Sequence, residues 1–262
     1  MRIVAAFALR DLLLLRSYRF ALAYDLGWGV AQLLVYYFIS RLIGVPTEDL
    51  GAAPSYFEFV VAGIFGTLVL GAATSEIGER IREEELTGTL EMVVAQPVRS
   101  ALLALGYAGF PITFALVRVL LYLLVAILFL DFAAADADWV GVAAVLIASA
   151  ASFLAIGIVA AAVTVVYKRG GRIAGLAIFA MTFFGGALFP ISALPSWLEP
   201  VGRAMPTRFS FDGLRQALFA GEGWLRDVAA LSGVSVVALP LSLWIFSLAI
   251  ERAKRDASLA QY

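Results

Sequence analysis

An unbroken apolar run at residues 139–167 constrains this chain most strongly, because it contains no charged side chain. About 20 apolar residues in a helix cross the hydrocarbon core of a bilayer. The rest of the chain is similar, with 62% hydrophobic and 15% charged residues, against about 45–50% and about 25% in soluble domains. A soluble domain of this length could not bury that much apolar surface. The sequence therefore predicts an all-α membrane protein and excludes soluble, disordered and disulfide-stabilised classes.

Six segments are long and apolar enough to be predicted as membrane-spanning helices. Together they make residues 1–262 a single transmembrane domain. The spans cover about 20–43, 56–76, 104–130, 139–167, 173–189 and 228–250. No internal repeat relates the two halves, which argues against the inverted repeats of secondary transporters.

The distribution of cations predicts the orientation of these spans. Thirteen of the 19 Lys and Arg residues lie near one set of span ends and five near the other. Since cytoplasmic loops carry the excess of Lys and Arg, both termini are predicted to be cytoplasmic. The loop 131–138 contains aspartates and no cation, so it is predicted to be external.

The N-terminal segment 2–19 is predicted to be an amphipathic helix in the membrane interface. At helical spacing, apolar side chains share one face and four arginines the other, an arrangement that suits anionic lipid head groups. A plain cytoplasmic extension of the first span is the alternative. No signal-peptide pattern precedes that span.

Several kinds of chemistry are missing from the sequence. The chain contains no His and no Cys, which excludes thiolate nucleophiles and Cys/His metal sites. No Gly-rich loop ends in Gly-Lys-Ser/Thr, so ATP binding through a P-loop is excluded. A net charge of −1 gives no general attraction to nucleic acid. We therefore predict no catalytic residue, metal or cofactor on this chain, and membrane lipids rather than nucleic acid as partners.

The segment 83–97, between the second and third spans, is the richest cytoplasmic part of the sequence. Gly88 can end the preceding helix in a left-handed turn, Thr89 can cap a short helix, and Pro97 ends it. Apolar side chains at Leu90 and Met92 with charged neighbours would suit a groove on a soluble partner. A solvated charged loop that only orients the protein is the alternative.

The segment 190–227, after the fifth span, contains several prolines that cannot lie in one regular helix. The pattern predicts a break near Gly185 and Gly186, followed by short helices that re-enter the outer leaflet. Irregular backbone at that depth must be buried in protein or line a cavity, so a gate at the outer surface is predicted. An ordinary external loop is the alternative.

Arg118 lies inside the third span, where a cation costs at least about 2.5–3.5 kcal/mol on insertion scales. It should therefore face protein or water. It could line a pathway or a subunit interface, pair with Asp25 or Glu76, or extend toward the interface.

Small residues recur at helical spacing in the second span, at Gly63, Thr67 and Gly71. Small side chains let two membrane helices approach closely. Packing against a neighbouring helix is the predicted role of these three positions.

Two motifs carry a family resemblance. Residues 84–91 (EELTGTLE) with 96–98 (QPV) resemble the "E-x-x-x-G-T-L-E … x-P-V" loop of ABC-2 type transporter permeases. Four short runs further along the chain resemble that family's later signature: FP at 189–190, LPSWL at 194–198, MP at 205–206 and DGLR at 212–215. The predicted interfacial helix, six spans and cytoplasmic ends are similar to its architecture along nearly the whole chain.

The resemblance implies a half-size subunit in a bacterial or archaeal cell membrane, paired with a second copy or a close paralogue. It also implies a cytoplasmic ABC ATPase dimer as partner, which binds the ATP and Mg. The loop between the second and third spans would be the coupling helix. The coupling residues implied are Glu83, Glu84, Glu85, Gly88, Thr89, Leu90, Glu91, Met92 and Pro97. The implied residues of the re-entrant gate are Phe189, Pro190, Leu194, Pro195, Trp197, Leu198, Pro206, Asp212 and Arg215.

By this resemblance the chain is expected to be the permease of an ATP-driven exporter for an amphipathic or hydrophobic small molecule. Export of a lipid or lipid-linked glycan is the alternative. An ion-coupled secondary transporter should show carboxylates inside its spans, and spans three to six have none between their ends. A membrane enzyme would need a catalytic cluster that the sequence lacks.

Overall fold

The computed structural model describes residues 19–44, 46–88, 100–167 and 170–255, and this part of the chain is helical without a strand. The α-helices are α1 Arg19–Leu42, α2 Tyr56–Leu86, α3 Ser100–Phe129, α4 Trp139–Tyr167, α5 Gly170–Phe184, α6 Glu199–Ala204, α7 Pro206–Arg215 and α8 Leu225–Arg255. Short 3₁₀ helices cover Thr47–Leu50 and Ile191–Ala193, and a π-helical turn covers Gln216–Ala220. Residues 2–18 of the predicted interfacial helix and the predicted coupling residues Thr89, Leu90, Glu91, Met92 and Pro97 lie outside the described residues.

Four helices in the described part of the chain, α2, α3, α4 and α8, are long and apolar enough to cross a membrane. They confirm the prediction of an all-α, multi-pass protein. Helices α1 and α5, with 24 and 15 residues, occupy the segments predicted as the first and fifth spans. The count of six spans stays a prediction.

Helices α2 and α4 form the centre of the bundle. One apolar cluster includes Val60 on α2 and Phe153 on α4, and a second includes Ile77 on α2 and Ile158 on α4, so both helices contribute to both clusters. In lipid, helices associate through close packing rather than through exclusion of water. The shared clusters therefore join the two ends of the bundle through the same pair of helices.

Glycines allow the closest helix contacts. A Cβ atom at Gly157 of α4 would lie 1.7 Å from the carbonyl oxygen of Ala73 on α2, and one at Gly63 would lie 2.1 Å from that of Ala187. Only glycine fits where backbones approach this closely. A Cβ at Gly71 would meet no atom within 4 Å, so the close contact predicted for the small-residue positions does not extend to Gly71.

The predicted helix break near Gly185 and Gly186 is confirmed. Helix α5 ends at Phe184, and Gly186 has a φ of +83°, which favours glycine. A Cβ at Gly185 would lie 2.2 Å from the hydroxyl oxygen of Thr207 on α7. The helix therefore stops five residues before the predicted span end, because the chain turns where α7 packs against it.

Candidate functional site

Helix α7 anchors the segment that follows α5. It begins at Pro206 as its first residue, a favoured position for proline because the missing N–H has no helical acceptor there. Its side chains Phe211 and Leu214 are fully buried. The hydroxyl groups of Ser149 on α4 and Ser210 on α7 are hydrogen bonded at 2.7 Å. The helix is thus held on the bundle through both apolar and polar contacts.

Arg215, at the end of α7, connects three parts of the chain. Its guanidinium donates hydrogen bonds to the carbonyl oxygens of Phe59 on α2 (3.2 and 3.3 Å), Gly186 (2.7 Å) and Ala187 (3.2 Å). It also lies 3.4 Å from the centroid of the Phe59 ring, a cation–π contact. Its side chain is only 5% exposed. We call this set of contacts the arginine clamp.

Asp212 supplies the negative charge beside the clamp. Its carboxylate lies 3.3 Å from Arg215 and 3.3 Å from Arg208, one helical turn away. Burial lowers the pKa of Arg215 to about 10, and the charge of Asp212 opposes that shift. The guanidinium therefore stays positively charged at neutral pH, and the i,i+4 and i,i+3 ion pairs place these three residues on one face of α7.

A polar cavity of about 360 Å³ lies against the clamp. Its walls come from residues 49–52 after α1, Phe59 on α2, Gly186 and residues 190–192 after α5, and the segment from α6 through α7 to Gln216. The three predicted gate residues Pro190, Asp212 and Arg215 line it. We refer to it below as the polar cavity.

The other six predicted gate residues do not line the cavity; they are Phe189, Leu194, Pro195, Trp197, Leu198 and Pro206. The ring of Phe189 packs edge-on against Phe183, with centroids 4.9 Å apart. Leu194 is buried, whereas Trp197 is 73% exposed. Three of the nine predicted gate residues therefore share the cavity, and the other six do not.

Asp138 was not predicted as a functional residue, but it joins two parts of this end of the protein. Its carboxylate accepts hydrogen bonds from the backbone N–H of Val140 (3.0 Å) and from the indole of Trp224 (2.9 Å). Its own N–H donates to the carbonyl oxygen of Ala217 at 2.8 Å. An Asp directly before an apolar run is a helix N-cap signal, which is the feature that could have identified it.

Arg118 on α3 forms an ion pair with Asp25 on α1, with a distance of 3.0 Å. Of the alternatives considered for Arg118, the structure shows pairing with Asp25. The hydroxyl of Tyr122, one turn further along α3, donates to the backbone oxygen of Asp25 at 3.3 Å. The Nε atom of Arg118 is buried without a hydrogen-bond partner in the described residues. The pair therefore connects α1 to α3.

Glu84, a predicted coupling residue, points into the bundle. The hydroxyl of Tyr107 on α3 donates a hydrogen bond to its carboxylate, and the two side chains are 9% and 2% exposed. Glu83, next to it, is exposed, and the backbone of Glu85 continues the helix. Helix α2 ends at Leu86, and Gly88 has a φ of +72°, as a left-handed helix terminus requires.

The comparison with protein families agrees with this architecture. The family model described as ABC-2 type transporter matches residues 12–219, which is more than half of the chain. The protein therefore belongs to the ABC-2 type transporter family. Such proteins are permeases, the transport subunits that generally work with a cytoplasmic ABC ATPase. No curated protein matches the chain. The matched region contains α1 to α7, including both the polar cavity and Glu84.

Proposed function

We propose that this chain is the permease subunit of an ABC exporter that moves an amphipathic or hydrophobic small molecule out of the cytoplasm. It would span a bacterial or archaeal membrane six times, with α1 and α5 as the first and fifth spans and both termini in the cytoplasm. It would pair with a second copy or a close paralogue. ATP and Mg would be bound by a separate ATPase dimer.

The observation that carries this proposal is the continuity of α2. This single helix has 31 residues, and at about 1.5 Å per residue it is roughly 46 Å long. At one end the arginine clamp holds Phe59. At the other end Glu84 and Tyr107 connect it to α3. Helix α2 therefore joins the polar cavity to the predicted coupling residues.

The bond between Glu84 and Tyr107 also supports a role in coupling. Helix α2 precedes the predicted coupling segment and α3 follows it. A contact between the two helices therefore keeps the two ends of that segment at a fixed spacing. When the ATPases close on ATP, the predicted coupling helix would be displaced. The displacement would then reach both helices together rather than being absorbed between them.

A flexible insertion tests this mechanical connection. Two glycines inserted after Gly88 should leave co-purification with the ATPase intact, since the docking residues are unchanged, but should abolish substrate flux. The double substitution Leu90→Ser and Met92→Ser should instead reduce co-purification, because it removes the apolar anchors.

The matched control is the same glycine pair inserted after Ala135, in the loop between α3 and α4, which should transport like the parent. Normal flux in the Gly88 insertion would contradict the proposed mechanism. ATP hydrolysis by the purified permease alone in liposomes would contradict the assignment of ATP to a separate subunit.

Topology can be tested separately with single cysteines, because the chain has none. Substitutions Ala134→Cys and Ala220→Cys should react with impermeant reagents only from outside the cell. Lys168→Cys should react only after the membrane is permeabilised, which gives the reagent access to the cytoplasmic side. The reverse pattern would contradict the proposed orientation.

A further inference from the structure

We propose that the polar cavity binds the zwitterionic head group of a phospholipid, with its phosphate against α6 and α7 and its amine toward Asp49. Asp49 belongs to the 3₁₀ helix Thr47–Leu50, on the wall contributed by the segment after α1. This binding goes beyond the export proposal, since it requires neither the ATPase nor a transported substrate.

The wall formed by α6 and α7 has an excess of positive charge. It contains three arginines, and its two acids are already bound within the wall. Glu199 pairs with Arg203 one turn away, and Asp212 is shared by Arg208 and Arg215 at 3.3 Å each. One positive charge therefore remains uncompensated on this side of the cavity.

The wall contributed by the segment after α1 contains a carboxylate that is not compensated. Asp49 lines the cavity, is exposed, and forms no ion pair within the part of the chain that the structure describes. The cavity thus has one uncompensated positive charge on α6 and α7 and one uncompensated negative charge on the segment after α1. A ligand with an anionic end and an ammonium end matches both walls, whereas a simple anion matches only one.

The donors on the positive wall suit a phosphate group. Arg208 uses its Nε atom for Asp212, and its terminal nitrogens donate to no acceptor in the described residues. A planar guanidinium with free terminal N–H groups matches phosphate oxygens in a two-point geometry. Arg215 has its donors committed to the clamp, so it forms the inner wall and contributes mainly its charge.

The surroundings of the cavity favour a lipid as the source of this head group. Trp197 and Val201, on the same segment as Glu199 and Arg203, are 73% and 41% exposed. Exposed tryptophan beside arginine is typical of the level of the lipid head groups. A lipid at that level can place its head group in the cavity while its acyl chains stay in the bilayer.

The binding experiment uses the purified chain in dodecyl maltoside, a detergent without phosphate, and isothermal titration calorimetry. The probes are dihexanoyl phosphatidylethanolamine, dihexanoyl phosphatidylglycerol and free phosphoethanolamine. We expect the ethanolamine lipid to bind about tenfold more tightly than the glycerol lipid, because only it has an ammonium group for Asp49. Equal affinity for the two lipids would overturn the zwitterion assignment, and equally tight binding of phosphoethanolamine would overturn the lipid assignment.

Two variants test the two walls separately. Asp49→Asn should remove the preference for the ethanolamine lipid and leave affinity for the glycerol lipid unchanged. Arg208→Gln should weaken both lipids about tenfold, since it removes the phosphate donors. Asp136→Asn, an exposed external acid outside the cavity, is the matched control and should bind like the parent.

Melting temperatures without lipid will show that each variant is folded. Unchanged affinities in both Asp49→Asn and Arg208→Gln would overturn the proposal. Because these measurements involve no ATPase and both faces are accessible in detergent, they can succeed or fail independently of the export function and of the topology.

Discussion

Replacement of Arg215 by Lys tests how strongly the arginine clamp holds the segment between α5 and α8. The positive charge is kept, but the planar fork is lost. An ammonium group cannot reach all three carbonyl oxygens, those of Phe59, Gly186 and Ala187. The buried carbonyls of Gly186 and Ala187 lie outside any helix, and leaving each without a donor costs about 1–3 kcal/mol. We take about 3 kcal/mol as the expected loss, which corresponds to a roughly hundredfold change in an opening equilibrium.

The assay follows the opening of α7 through a buried cysteine. Ser210 is fully buried against α4, and Cys is close to Ser in shape. Because the protein has no other Cys, a thiol reagent reports on the Ser210→Cys position alone. Its labelling requires local separation of α7 from the bundle. In the Arg215→Lys background the labelling rate should rise roughly hundredfold.

Arg226→Lys is the matched control, since Arg226 is an exposed arginine at the start of α8. It should leave the labelling rate of Ser210→Cys unchanged. If Arg215→Lys also labels at the parental rate, the clamp does not hold this segment, and the reasoning from its hydrogen bonds would be refuted.

Four further substitutions have clear expectations, each checked by the melting temperature in detergent. Gly157→Ala should destabilise or prevent folding, because its Cβ would lie 1.7 Å from a carbonyl oxygen of α2, whereas Gly71→Ala, with nothing within 4 Å, should be neutral. Trp224→Phe should cost about 1 kcal/mol, because it removes the indole donor to Asp138. Tyr107→Phe should cost about 1–3 kcal/mol, because it removes a donor from a buried carboxylate of α2, and it should also lower flux per ATP without affecting co-purification.

Local features of this protein could be predicted from its sequence. Apolar length predicted the long helices α2, α3, α4 and α8, and the glycines at 185 and 186 marked the end of α5. The spacing of Arg208, Asp212 and Arg215 placed them on one helical face, where both ion pairs are found. Each of these features depends on residues that are close together in the sequence. The two ion pairs, for example, join residues three and four positions apart, so helical geometry alone determines them.

Long-range contacts could not be predicted in this way. Arg215 and Phe59 are separated by 156 positions, and nothing in either local pattern relates them. Glu84 is part of a charged run, which indicates a solvated surface, yet it contacts Tyr107 inside the bundle. Gly157 lies in an apolar run with other small residues, and only the packed helices show that its backbone touches Ala73. These contacts depend on how the helices assemble, which a single sequence does not specify.

The contact between Gly157 and Ala73 has a geometric consequence for α2. Ala73 lies near the middle of that helix, about 20 Å from Leu86 and about 21 Å from Phe59 at about 1.5 Å per residue. A backbone contact this close resists sliding of α2 past α4, and any tilt of α2 about Ala73 would also have to displace the close contact at Gly63 and the arginine clamp at Phe59. The parts of α2 on the two sides of Ala73 are nearly equal in length. In such a tilt, an inward shift of the helix end at Leu86 would therefore move Phe59 by a similar distance in the opposite direction, with little mechanical gain or loss.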